Sequence, residues 1–150
     1  MIELDDINRK ILQHLEADGR ISNNELAEIV GLSTSACLRR VQELERTGLI
    51  TGYRAVLDRK RLGNAIIVFV MVGLSAHQRK DVDAFERAMQ SASEVRECHN
   101  VTGGFEFLLR IEVADLETYK EFATKTLGAF SHVNSVTSYV AVGTSKDLRG

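Results

Sequence analysis

Apolar residues recur at helical spacing through the first third of the chain and at alternate positions through the rest. Ile7, Ile11, Leu12 and Leu15 form one stripe, opened by a cap at Asp5 or Asp6 and closed by Gly19. Leu26, Ala27, Ile29 and Val30 form a second. It is started by Ser22, with Glu25 three places on to complete a capping box, and ended by Gly31. Ser33 or Thr34 caps a third helix, with Cys37, Val41 and Leu44 inward and Leu38 beside them. Ser35, Arg39 and Arg46 fall on its opposite face and Arg40 on the flank. The turn at Gly31 is too short for an antiparallel hairpin of long helices and suits a crossed pair.

Beyond Gly48 the period changes. LITGYRAVL is rich in strand formers and, with the basic residues that follow, is expected to form a strand or wing beside the helices. Gly63 marks the expected boundary, giving domains 1–62 and 63–150. A strand from Ala65 to Leu74 is apolar on both alternate sets: Ile66, Val68, Val70, Val72 and Ile67, Phe69, Met71. Ser75 with Gln78 caps a helix with Val82, Phe85, Ala88 and Met89 inward. Strands Val95–Thr102 and Phe105–Val113 are expected around a tight Gly103-Gly104 turn. Asp115 caps a helix with Leu116, Tyr119, Phe122 and Ala123 inward, stopped by Gly128, and Val133–Val142 is the last strand.

These elements predict an α+β chain: a (winged) helix-turn-helix domain of three helices, then a ferredoxin-like βαββαβ sandwich. Two helices cover one sheet face only, so the doubly apolar 66–74 strand predicts sheet-to-sheet dimerisation or higher assembly.

Composition adds little except in its distribution. The 150 residues carry a net charge of −2, with 44% hydrophobic and 27% charged residues, ordinary for a globular protein. Residues 1–32 hold a net −4, residues 33–61 a net +4 and residues 63–150 a net −2. Positive charge is thus concentrated on and after the third helix, where phosphate contacts are needed. Small residues at that helix's start (Ser33, Thr34, Ser35, Ala36) permit close approach to base edges, and its amides can meet a phosphate. The bland alternative is a three-helix core with merely solvated arginines.

No apolar run reaches membrane-spanning length, and the opening MIELDDIN is unlike a signal peptide. Cys37 and Cys98 show neither a disulfide framework nor metal spacing, so a cytoplasmic protein without metal or cofactor is expected. Cys98 and His99 are neighbours whose side chains must point to opposite faces of a strand, which argues against a nucleophile–base pair and an enzyme.

The segments LSTSACLRRVQELERTGLITGY, ECHNVTGGFEFLLRIEV and SYVAV, in that order, resemble the Lrp/AsnC (leucine-responsive, feast/famine) transcription regulators across essentially the whole chain. The resemblance implies binding of double-stranded DNA, modulation by a small effector, usually an amino acid, and homodimers that commonly assemble into octamers. It places Ser33, Thr34, Ser35, Arg39 and Arg40 nearest DNA, with Arg54, Lys60 and Arg61 as phosphate contacts. It places the effector against Val101, Thr102, Gly103, Gly104, Phe105, Glu106 and Phe107, with Tyr139 and Val140 from the last strand. Glu106 stands where many members carry Asp. The rival reading is an architectural DNA-binding protein without an effector, its second domain serving oligomerisation alone.

Overall fold

The computed structural model describes residues 4–75 and 79–147. Two compact units divide between Ala55 and Val56. This falls earlier than the expected 62/63 boundary because segment 56–63 is held by the second unit, where Arg59 approaches Glu112 at 3.6 Å.

In the first unit, α1 (Asp6–Ala17), α2 (Asn23–Val30) and α3 (Thr34–Arg46) enclose Ile11, Leu26, Ala27, Val30, Cys37 and Leu44. Local chemistry sets the helix limits. Asp5 caps α1 by accepting the Asn8 amide at 2.7 Å. Ser22 and Glu25 form the full reciprocal box at the start of α2. Gly31 then turns the chain at φ +72°, a left-handed conformation that side chains resist. Ser33 caps α3 through the Ala36 amide.

Two expected core residues face outward: Ile29 is 49% exposed and Leu38 44%. Leu26, Ala27 and Val30 already occupy the buried side of α2, and Leu38 is turned about 100° from Cys37. The expected 49–57 strand does not form either. The Leu49 and Ile50 amides turn back onto the Leu44 carbonyl, and no described residue from 49 to 65 lies in a strand.

The second unit runs β1 (Ile66–Leu74), α4 (Arg79–Ser91), β2 (Val95–Asn100), β3 (Phe107–Val113), α5 (Leu116–Lys125), a 3-10 turn at Leu127–Ala129 and β4 (Val133–Val140). The sheet order is β2-β3-β1-β4, with every pairing antiparallel. Val68, Val70, Val72 and Leu74 meet Phe107, Leu109, Ile111, Phe85, Met89 and Phe122 in the core. Val82, Ala88 and Tyr119 pack against it, but Leu116, the first residue of α5, is 55% exposed. Asp115 caps α5 through the Thr118 amide at 2.7 Å; the helix ends at Lys125, so Gly128 falls within the 3-10 turn. The expected Ser75–Gln78 cap involves Gln78, outside the described residues.

Candidate functional site

The first turn of α3 is a small-residue platform. Ser33, Thr34 and Ser35 are exposed, and the Thr34 carbonyl accepts a 2.8 Å hydrogen bond from Asn23 Nδ2 that ties the start of α2 to it. Arg39, one turn on, is exposed. Arg40 is not presented in the same way: its Nη1 reaches Asp5 Oδ2 and Asn8 Oδ1, back across the unit to the N-terminus of α1. The Asn8 amide, then the Arg40 guanidinium, hold the Asp5 carboxyl below the usual carboxylate range. Arg46 grips Glu43 through two hydrogen bonds of 2.8 and 2.6 Å, which offsets the acidic charge on this exposed face. Arg54 and Lys60 are exposed, and Arg61 lies 3.3 Å from Asp58.

The expected effector residues are only partly brought together. Residues 101–106 form one loop, wider than the two-residue turn read from Gly103-Gly104, closed by the Val101 amide donating to the Glu106 carbonyl at 2.9 Å. The wider loop arises because Glu106 turns to β1. Its amide donates to the Val72 carbonyl at 3.0 Å, and its carboxylate accepts the Leu74 amide proton at 2.6 Å. Gly103 sits at φ +145°. Thr102, Gly103 and Gly104 are exposed, while Val101, Phe105 and Glu106 are half-buried. An open loop with donors and one carboxylate is chemically suited to an amino acid's charged groups.

Three expected members lie elsewhere. Phe107 is fully buried, its ring 4.7 Å from that of Phe85, and belongs to the core. Tyr139 and Val140 pair with Phe69 and Val68, whereas Phe107 pairs with Val72. That separates them from the loop by about 10 Å along β1. The part of β4 beside the loop's end of β1 is instead Asn134 and Ser135, missed by sequence reasoning. Their side chains lie so close to Gly73 that a Cβ there would collide with Ser135 Oγ and stand 2.8 Å from Asn134 Oδ1. The glycine inside an apolar strand was the available signal.

Cys98 packs against the core and its thiol is pushed up to about 11 by burial and then by Glu86. The His99 ring lies 3.0 Å from Glu97, so the geometry separates the two neighbours as strand alternation requires. A thiol held protonated in this way is a poor nucleophile.

Residues 67–150 match the Lrp/AsnC ligand binding domain, and residues 4–51 match a winged helix-turn-helix DNA-binding domain. The leucine-responsive regulatory protein of Escherichia coli strain K12 is 41% identical over 140 residues, covering 93% of this chain and 85% of that protein. A transcriptional regulator of Neisseria meningitidis, solved as a complex with L-Met, aligns at TM-score 0.92 and 30% identity over 97% of this chain and 94% of its own. An AsnC family transcriptional regulator from Agrobacterium tumefaciens aligns at 0.91 and 31%, over 96% and 94%. No described helix is long and apolar enough to cross a membrane. With the ligand-binding domain matched over more than half its length and such relatives along nearly all of it, the chain belongs to the Lrp/AsnC family of transcriptional regulators.

Proposed function

We propose that this regulator grips duplex DNA with the first turns of α3 and that an amino acid bound at the 101–106 loop changes its DNA affinity or its assembly state. Ser33, Thr34, Ser35 and Arg39 face base edges and phosphates, and Arg54, Lys60 and Arg61 add phosphate contacts. Arg40 acts through Asp5, holding α1 against α3. At the loop, backbone amides and Thr102 take the ligand carboxylate, Glu106 pairs with its ammonium and Phe105 meets its side chain. The observation that carries this reading is one carboxylate beside an exposed glycine loop, in a chain whose structural neighbour was solved with L-Met.

Subunits meet through the sheet face opposite α4 and α5, as a homodimer that assembles further, to an octamer. Phe69 and Tyr139 stand side by side there, 38% and 55% exposed, an apolar pair that a second subunit can cover. A dimer also offers two recognition helices to two half-sites. The chain acts in the cytoplasm, where the free thiols of Cys37 and Cys98 persist, and carries out no catalysis of its own.

Replacing Gly103 by Val forces a β-branched residue to φ +145°, a strained backbone even though a Cβ there meets open space. The expected result is lost amino-acid response with DNA binding retained, read by fluorescence anisotropy of a labelled operator. A G103V chain responding like the parent removes the loop from the effector site.

A further inference from the structure

Leu38 is an apolar residue of α3 that the three-helix core leaves in the open. Among the described residues of that helix it is the one exposed side chain that is apolar, 44% exposed between buried Cys37 and exposed Arg39. A lone exposed leucine is ordinary on a protein surface. What distinguishes this one is its company. Ser35, Leu38, Arg39 and Gln42 stand at i, i+3, i+4 and i+7 and form one exposed stripe, whereas Cys37, Val41 and Leu44 form the inward one.

That stripe is free for contact. Among the described residues the side chains of Arg39 and Gln42 make no hydrogen bond or ion pair, whereas Arg40 is held by Asp5 and Arg46 by Glu43. Leu38 is the fifth residue of α3, about 6 Å along its axis from Thr34, in the part of a recognition helix that reaches base edges. In the major groove those edges are donors and acceptors with one hydrocarbon exception, the C5-methyl group of thymine. A leucine pressed on a donor or acceptor strips its water and returns no hydrogen bond. Pressed on a methyl group, it removes apolar surface from water on both sides.

We propose that Leu38 is a specificity-determining residue that packs on the C5-methyl of a thymine in each half-site. This role rests on the reading that α3 enters the major groove, and adds which base one of its side chains selects. Arg39 and Gln42 supply polar contacts on either side, and Leu38 discriminates through the methyl alone. Deoxyuracil keeps every hydrogen-bonding group of thymine and lacks only that methyl, so it isolates the contact.

The test takes the full-length chain and a duplex selected for binding from random sequence, with each thymine in turn replaced by deoxyuracil. Losing one buried methyl group should weaken parental binding about fourfold at the sensitive position and hardly at all elsewhere. Leu38→Ala should bind the unmodified duplex at least about fourfold more weakly and be indifferent to uracil at that position. Its melting temperature should stay near the parent's, which separates a lost contact from a damaged fold. Equal parental affinity for every uracil duplex would overturn the proposal and leave DNA binding by α3 standing. So would the same uracil loss in Leu38→Ala as in the parent. A selection that yields no bound duplex would overturn it together with the reading it rests on.

Discussion

The carboxylate of Glu106 accepts the backbone proton of Leu74 at 2.6 Å, joining the loop after β2 to the last residue of β1. Leu74 is 4% exposed, so its amide has no water to fall back on. Glu106→Ala should therefore cost about 1–3 kcal/mol of stability in denaturant unfolding. Glu106→Gln keeps a carbonyl acceptor and should restore most of that, yet lose the amino-acid response because the charge for the ligand's ammonium is gone. A Gln variant with parental response would exclude Glu106 from ligand recognition.

Arg39 and Arg40 are adjacent in sequence and should behave differently. Arg39→Ala is expected to weaken operator binding about tenfold and to flatten the salt dependence by roughly one unit of slope. Arg40→Ala removes the tie to Asp5 and should lower the melting temperature while leaving the salt slope as it was. Salt titrations of both variants, alongside thermal melts, separate the two; a flattened slope for Arg40→Ala would return it to the DNA contacts.

Phe69→Glu places a charge at the centre of the exposed sheet face beside Tyr139. Sedimentation should show a shift toward monomer, and operator affinity should drop with it because two half-sites are no longer engaged together. Parental mass at micromolar concentration would mean the subunits meet elsewhere.

Acid should loosen the helix starts. Asp5, Glu25 and Asp115 each accept hydrogen bonds that stabilise the charged form: from Asn8 and Arg40, from Ser22, and from Thr118. Their folded values lie below their unfolded ones. The stability they add is present above the unfolded carboxylate range, near about 4, and is lost as pH falls through it and below. Asp115→Asn keeps a cap without the titration, so its unfolding midpoint should fall less steeply with acid than the parent's.

Which features were readable from sequence follows the range of the forces behind them. Ser22 and Glu25, Gly31 and Asp115 act within one helical turn, and the structure shows each where local chemistry puts it. The double-sided apolar pattern of β1 likewise leaves Phe69 38% exposed on the face opposite the helices. What failed depends on partners distant in sequence. Residues 49–57 have strand formers but no described strand to pair with, and Val56 is 70% exposed. Family likeness groups Tyr139 with the loop, yet the β1–β4 register carries it to Phe69. The Arg110–Glu112 pair in FLLRIEV was legible as two charges in an apolar strand, but only the fold brings Arg59 and Asp147 to them. Of the grouped effector residues, 101–106 are contiguous and stayed together; those on β4 did not.

The most direct measurement of the central claim follows binding of a labelled operator duplex and the sedimentation of the protein together, while the twenty amino acids are added one at a time. At least one amino acid should change operator affinity or assembly state, and that change should disappear in the G103V chain. A protein that stays monomeric and fails to bind duplex DNA at low salt, or binds it identically with every amino acid, would contradict it.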